Sequence, residues 1–308
     1  MEQQFENLER PRSAEMDKIL GKPFQVLDNG FIRVIDYMGD DTSIVQAARV
    51  SYGKGTKKKH MDRGLIRYLM RHNHTTPFEM CEIKFHLRVP MDAWRQWIRH
   101  RTASVNEYST RYSIAIAATQ ITKPGEWRFQ AANNKQGSDG LLDENEGTLL
   151  SEEERRLHEM SRSIYEKRLE MGIAREQARK DLPLCTYTEA YWKIDLHNLL
   201  HFLRLRMELN AQYEIRMYAN IIGNEIVSRW CPLTWEAFKE YHFESEIFSA
   251  TELAIISSLL KGNKKEAVQI AEKKDLLKYV DGKPVSNLER MEFENKLLNL
   301  GITPPWNE

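Results

Sequence analysis

A dense run of polar side chains that can bind anions spans residues 99–111. It contains three arginines, a histidine, two serines and a glutamate, and only two of its residues are plainly apolar. The segment before it, residues 91–98, reads as a helix with two tryptophans, so the run begins where a buried helix ends. Because guanidinium groups match the geometry of phosphates and carboxylates, the run predicts a site for an anionic ligand. A helix C-cap with a network of surface ion pairs is the alternative that composition leaves open.

Two further groups of polar residues could join such a site. Residues 72–79 place two histidines, two threonines and a glutamate at the end of a predicted helix, before a proline. The other group lies along a later predicted helix, which carries Arg204 and Glu208 in addition to Asp195, His197, His201, Arg206 and Asn210. Helical geometry places the two histidines on one face and Asp195, Arg206 and Asn210 on another. Arg179 adds one more cation upstream.

Metal and nucleophile chemistry have weaker support in these residues. His197 and His201 have a spacing that zinc sites use, but no glutamate stands in the metalloprotease position between them. The cysteines, Cys81, Cys185 and Cys231, are scattered and lack metal-ligand spacing, so we predict no metal. Ser104 and Ser109 are not flanked by the glycines that mark the sharp turn around a nucleophilic serine, so neither serine is predicted to be a nucleophile. No glycine-rich phosphate loop is present, so side chains and helix ends must hold any nucleotide.

The pattern along the chain predicts a mixture of strands and helices. Strands are predicted on both sides of an Asn-Gly turn within 24–36, and in 81–89, where apolar residues alternate. Helices are predicted over 42–50, 62–72, 91–98, from a capping box at Ser151 to about 171, from 174 to before Pro183, and from 195 to about 229. We predict a leader (1–22), a main domain (23–244) with an insertion loop (125–150), and a helical C-terminal extension (245–308).

Composition limits the classes of protein to which this chain could belong. Hydrophobic residues make up 41% of the 308 residues, which is typical of a globular chain. The N-terminus lacks the features of a signal peptide, no run of residues is apolar enough to span a membrane, and the cysteines suggest reduced thiols. We therefore expect a cytoplasmic protein that does not bind membranes. The 45 basic and 45 acidic side chains balance, which argues against nucleic acid as a partner.

The polar run resembles the signature of a known family. The residues Arg99-His100-Arg101, followed after seven residues by Ser109, resemble the signature of the flavin-dependent thymidylate synthases, and Asn106, Glu107 and Arg111 continue the match. Further matching segments, in chain order, are 47–51, 68–70 with His74, 76–79, 95–97, 175–179, 182–184 and 202–206. The resemblance covers roughly 24–240, except for the 125–150 loop.

The resemblance implies a fold, an activity and a quaternary structure. We expect an α+β fold, with a central, mostly antiparallel twisted sheet flanked by long helices. The implied activity is a methyltransferase reaction that converts dUMP to dTMP. Its carbon donor is 5,10-methylenetetrahydrofolate, and its reductant is NADPH acting through FAD, without a cysteine nucleophile. The implied assembly is a homotetramer with FAD at the subunit interfaces.

The family's functional positions transfer residue by residue. The implied FAD contacts are Ser51, His74, Thr76, Glu79, Arg99, His100, Arg101, Asn106 and Glu107. The implied dUMP contacts are Gln96, Arg99, Glu107, Ser109, Arg111, Arg179 and Arg206. Arg206 is the residue to which we assign a catalytic role, because a cation at a uracil carbonyl could stabilise charge that develops on the ring.

The chain departs from the family pattern at several positions. Asp195, His197, His201 and Asn210 replace residues that are more common there, and we expect these four near the flavin, with His197, His201 and Asn210 as contacts. Two other functions stay open, of which only the first follows from these departures. One is an inactive relative that binds FAD and dUMP without turnover. The other is a nucleic-acid-binding module that uses Arg99, Arg101, Arg111 and the basic loop at 57–59.

Overall fold

The structure of the chain is a computed structural model that describes residues 9–50, 62–131, 137–280 and 283–307. Ser51 and the basic loop at 57–59 lie outside the described residues. The chain divides into two compact units, Met1–Phe243 and Glu244–Glu308. The domain boundaries expected from the sequence remain a prediction.

A five-stranded antiparallel sheet forms the centre of the first unit. The strands of the described residues are β1 (Phe24–Val26), β2 (Gly30–Met38), β3 (Glu82–Pro90), β4 (Ser104–Glu107), β5 (Arg128–Gln130), β6 (Ser138–Leu141), β7 (Tyr187–Asp195), β8 (Tyr279–Val280) and β9 (Lys283–Pro284). The central sheet has the order β1-β2-β3-β7-β4, and β5 with β6 and β8 with β9 form two-stranded sheets. The expected α+β fold with a mostly antiparallel sheet is confirmed.

Helices follow and flank these strands. The α-helices of the described residues are α1 (Ala14–Asp17), α2 (Asp41–Val50), α3 (Asp62–Arg71), α4 (Thr76–Glu79), α5 (Met91–Trp97), α6 (Glu144–Glu170), α7 (Arg175–Ala178), α8 (Leu196–Arg206), α9 (Tyr213–Ile221), α10 (Ser228–Trp230), α11 (Pro232–Phe238), α12 (Ala250–Leu260), α13 (Lys264–Lys273) and α14 (Leu288–Asn299). Short 3₁₀ segments occupy Pro124–Glu126 and Arg179–Asp181, and π-helical segments occupy Ile222–Val227 and Lys239–Phe243. Among the described residues, no helix is long and apolar enough to cross a membrane.

A cluster of buried aromatic rings lies where α5 meets the sheet. The Trp97 ring centroid is 5.1 Å from that of Trp192 in β7, 4.9 Å from Phe202 in α8 and 5.7 Å from Tyr218 in α9. All four side chains are fully buried. Because aromatic pairs at these separations add to the stabilisation from area burial, the C-terminal end of α5 is fixed to the centre of the core. The polar run from residue 99 starts at this fixed point.

Two predicted helices have different bounds in the structure. The helix predicted to start at Ser151 begins at Glu144 instead, and Asp143 caps it by accepting a hydrogen bond from the Asn145 N–H at 2.9 Å. Ser151 is buried inside α6, where its Oγ donates to the Thr122 carbonyl at 2.7 Å and accepts from Trp127 Nε1 at 3.0 Å. The capping-box interpretation was therefore wrong, because a tertiary contact uses the serine.

The long helix predicted over 195–229 is also divided. Strand β7 extends to Asp195, α8 ends at Arg206, and α9 begins at Tyr213. Asp195 is the N-cap of α8, since its Oδ1 accepts from the Asn198 N–H at 2.9 Å. The break at 207–212 turns the chain just after Arg206, and it contains Asn210 and Gln212.

Gly30 provides a test of this packing. A Cβ at Gly30 would overlap the Tyr218 hydroxyl and come within 2.6 Å of the Val26 carbonyl oxygen. We expect Gly30→Ala to destabilise the fold by about 1–3 kcal/mol, the usual cost of overpacking. At the control position, Gly64 in α3, a Cβ would meet no described atom within 4 Å, so Gly64→Ala should stabilise by about 0.5–1 kcal/mol. Melting temperatures of the two variants give the comparison, and equal shifts would contradict it.

Candidate functional site

A pocket of about 630 Å³, which we call the cationic pocket, lies beside β4 and the chain that follows it. Four cationic side chains line it, namely Arg95, Arg111, Arg179 and Lys180, together with two carboxylates, Glu107 and Glu176. The excess of positive charge suits an anionic group such as a phosphate. Of the predicted dUMP contacts, Glu107, Ser109, Arg111 and Arg179 all line this pocket.

Local hydrogen bonds hold the predicted contacts in the cationic pocket. Glu107 accepts a hydrogen bond from Thr188 Oγ1 at 2.9 Å, and the Arg179 guanidinium donates to Thr110 Oγ1. Arg111 lies 3.3 Å from a Glu176 carboxylate oxygen, and both side chains are 57% exposed. Exposed ion pairs of this kind contribute little to stability, so Arg111 can exchange Glu176 for an anionic ligand at low cost.

A second pocket of about 500 Å³, which we call the amide pocket, contains Gln96 and Arg206, whereas Arg99, the last of the predicted dUMP contacts, lines another pocket. Its lining residues carry amide, hydroxyl and guanidinium groups and include Gln96, Arg206, Asn210, Gln212, Arg128, Gln130 and Ser138. The last three belong to the hairpin of β5 and β6, so the 125–150 segment forms part of this pocket. The sequence alone predicts no role for that segment.

Arg206 is held at the edge of the amide pocket by two hydrogen bonds. Its Nε donates to His100 Nε2 at 3.0 Å, and its Nη2 donates to the Gln96 carbonyl oxygen at 3.4 Å. Burial, the Arg206 charge and His201 together lower the pKa of His100 to about 4, with burial as the largest cause. His100 is therefore neutral near pH 7, which lets its ring nitrogen accept the hydrogen bond from Arg206.

Two further pockets extend from the amide pocket. One, of about 360 Å³, is lined by Arg99, His100, Arg101, His201 and Arg206 among others, and it shares Arg206 with the amide pocket. The other, of about 120 Å³, has four histidines in its lining, namely His74, His197, His201 and His242, and shares His201 with its neighbour. Seven of the predicted flavin contacts thus line these pockets, which are connected through shared lining residues: His74, Arg99, His100, Arg101, His197, His201 and Asn210.

Some predicted contacts lie elsewhere. Thr76 and Glu79 are exposed on α4, and Asn106 is exposed on β4; within the described ranges, none of the three lines the pockets above. Asp195, expected near the flavin, has its carboxylate engaged in capping α8.

The pockets also contain residues that sequence analysis did not select. Arg95 and Lys180 add cations to the cationic pocket, and Gln212 and His242 line the other pockets. The sequence could have pointed to Arg95, because it directly precedes Gln96, which is a predicted dUMP contact. No such signal pointed to His242, since it lies in the π-helical segment after α11, far along the chain from the other histidines.

Neither a metal nor a cysteine nucleophile is supported by the described part of the chain. Within it, no group of three or more histidine, cysteine, aspartate or glutamate side chains could hold a metal ion. Cys185 Sγ lies 3.1 Å from His158 Nε2, but burial raises the pKa of the thiol to about 12. Because the thiolate is the nucleophilic form, this cysteine is unreactive at neutral pH.

The chain is similar to known proteins of one family. A family model described as "Thymidylate synthase complementing protein" matches residues 33–233. A flavin-dependent thymidylate synthase of Wolbachia pipientis wMel is 55% identical over 248 residues, which cover 80% of this chain and 87% of that protein. One from Gluconobacter oxydans is 52% identical over 256 residues, covering 82% and 84%.

The chain is also similar to a solved structure of a nucleotide methylase. The UMP/dUMP methylase PolB of Streptomyces cacaoi bound with 5-Br dUMP has a TM-score of 0.64 and 30% identity, covering 71% of this chain and 98% of that one. Together, the antiparallel α+β fold and these similarities define the class of protein as a flavin-dependent enzyme that methylates a pyrimidine nucleotide. The chain belongs to the flavin-dependent thymidylate synthase family.

Proposed function

We propose that the protein catalyses the reductive methylation of dUMP to dTMP, with 5,10-methylenetetrahydrofolate as carbon donor and NADPH as reductant through FAD. The observation that carries this proposal is that the predicted dUMP contacts other than Arg99 separate into two chemically different pockets. The cationic pocket suits the phosphate of dUMP, and the amide pocket suits its base. Each pocket matches one end of the same substrate.

The side chains bind and orient the nucleotide in this proposal. Arg111, Arg179 and Ser109 bind the phosphate, while Gln96 and Arg206 bind the uracil ring. Arg206 stabilises negative charge that develops on a uracil carbonyl as the ring reacts, because it is a fixed cation in a partly buried site. The protein thus contributes positioning and electrostatic stabilisation, and no side chain forms a covalent bond to the base.

The connected pockets fit FAD by the chemistry of their side chains. Arg99 and Arg101 are exposed cations suited to a pyrophosphate, and His74, His197 and His201 surround a recess that suits a ring system. When bound, FAD supplies hydride transfer, which protein side chains cannot perform. Ser51, Thr76, Glu79, His100, Asn106, Glu107 and Asn210 complete the proposed flavin contacts.

We also propose that the active site is assembled from more than one subunit of a homotetramer. Arg95 and Gln96 are neighbours on α5, yet Arg95 lines the cationic pocket and Gln96 lines the amide pocket. Among the described residues, the linings of these two pockets have no member in common. A second subunit that brings its amide pocket against the first subunit's cationic pocket would complete the site. A cytoplasmic location, with no nucleic acid as partner, belongs to the same proposal.

The test uses the purified protein. We expect it to absorb at about 450 nm because of bound flavin. It should oxidise NADPH faster when dUMP is added, and it should form dTMP when methylenetetrahydrofolate is present. Bound flavin and dUMP without dTMP would indicate an inactive relative. A colourless protein that takes up no flavin but retards oligonucleotides at physiological salt would support the nucleic-acid-binding alternative instead.

A further inference from the structure

Three polar side chains form a hydrogen-bonded series behind the amide pocket. Gln96 Nε2 donates to Gln212 Oε1, and Gln212 Nε2 donates to Asp92 Oδ2 at 2.9 Å. The other oxygen of Asp92 accepts from the Ala93 N–H at 2.7 Å. Gln96 and Gln212 line the pocket, whereas Asp92 lies behind them and, within the described part of the chain, lines none of the pockets above.

This series determines which way the Gln96 amide faces. Each oxygen of the Asp92 carboxylate accepts a hydrogen bond from an N–H group. Because a carboxylate has no donor, the amide nitrogen of Gln212 must be the atom that faces Asp92. The oxygen of Gln212 therefore faces Gln96 and accepts from its nitrogen. Because the NH₂ end of the Gln96 amide is held towards Gln212, the end that faces away from Gln212 is its oxygen, which is an acceptor.

The amide pocket consequently offers an acceptor beside a fixed donor. Arg206 is bound to the main-chain oxygen of Gln96 and to His100, and Arg206 and Gln96 line the same pocket. A cyclic imide, in which one N–H lies between two carbonyls, complements this pair. Uracil carries such an edge. Cytosine carries the opposite pattern, with a bare acceptor at N3 and an amino donor at C4.

We propose that Asp92 and Gln212 fix the Gln96 amide with its oxygen towards the ligand, and that this selects uracil over cytosine. The inference rests on the proposed function, because it takes Gln96 and Arg206 as contacts of the base. Asp92 and Gln212 are positioning residues in this scheme, since they act through Gln96. The isoalloxazine ring of FAD also carries an imide edge, so an experiment must distinguish these two sources.

Asp92→Asn tests the direction of the series with almost no change in size. The single oxygen of the introduced asparagine keeps the hydrogen bond from Ala93, so its NH₂ group must face Gln212. Gln212 then turns, its nitrogen donates to Gln96, and Gln96 presents NH₂ to the ligand. In calorimetric titrations of the flavin-loaded protein, we expect the wild-type protein to prefer dUMP over dCMP, and this preference to fall by at least about tenfold in the variant.

The double variant Asp92→Asn with Gln212→Glu is the matched control. The introduced glutamate can accept both from the introduced asparagine and from Gln96, which turns the Gln96 oxygen back towards the ligand and should restore the preference for dUMP. The proposal would be overturned if the single variant bound dUMP and dCMP with equally weakened affinity, or if the double variant did not recover the preference for dUMP. Loss of flavin with an unchanged dUMP/dCMP ratio would assign the imide to isoalloxazine and overturn the choice of uracil. Wild-type protein that binds neither nucleotide would instead contradict the proposed function.

Discussion

Arg206→Ala is expected to lower kcat/KM for dUMP by at least about a hundredfold, the usual effect of removing a group that stabilises transition-state charge. The side chain is half-buried at the end of α8 and is bound to His100 and Gln96. Because the aromatic packing of α8 does not depend on this guanidinium, folding and assembly should persist. Measurement of dTMP formation, with size-exclusion chromatography of the same sample, tests both expectations.

A second measurement on Arg206→Ala is independent of turnover. Burial is the largest cause of the low pKa of His100, and the Arg206 charge is the next. Removal of the cation should therefore raise the pKa of His100 from about 4 towards, but not up to, the ordinary value of 6.5, as followed by NMR titration of the imidazole. Arg156→Ala, on the exposed surface of α6, is the control for loss of an arginine. Near wild-type turnover would show that the assignment of the uracil contact is wrong.

Arg179→Ala is expected to weaken dUMP binding by about tenfold to a hundredfold, because it removes a charge-assisted contact to a phosphate. Its guanidinium lies in the cationic pocket and is oriented by Thr110. Deoxyuridine, which lacks the phosphate, serves as a matched ligand, and its binding should change little. Calorimetric titration of both ligands gives the comparison.

Lys167→Ala provides the matching control for Arg179→Ala, since it removes an exposed cation of α6 that lies outside the cationic pocket. It should leave the affinity for dUMP unchanged. An equal loss of affinity for dUMP and deoxyuridine in Arg179→Ala would contradict the phosphate assignment.

The sequence predicts strands β1 to β3 better than it predicts the helix ends, for a physical reason, whereas it gives no prediction of β4 and β7 in the same sheet. Strand β3 alternates buried Ile83, Phe85 and Leu87 with half-exposed polar residues, and this pattern follows directly from strand geometry. Helix ends depend on contacts that are distant in sequence. Ser151 resembles a cap but bonds to Thr122 and Trp127. The break after Arg206 contains neither glycine nor proline to mark it.

In the candidate site, too, the sequence predicts what depends on local chemistry and misses what depends on distant contacts. The polar run identifies Arg99, Ser109 and Arg111 as residues that can bind an anion, because their chemistry is local. Sequence cannot tell that Arg95 and its neighbour Gln96 line different pockets, since this depends on how α5 packs in the folded chain. The role of Asp92 is also invisible in sequence, because it acts through Gln212, which lies 120 positions away.

The aromatic cluster around Trp97 has a thermodynamic consequence for ligand binding. It anchors the end of α5, from which Arg99 and Arg101 extend, to the most buried part of the core. The main-chain entropy of that segment is therefore lost once, when the chain folds, and not at each binding event. Substitutions that loosen this cluster should reduce affinity without touching any ligand, because each binding event would then have to order the backbone that carries the cations.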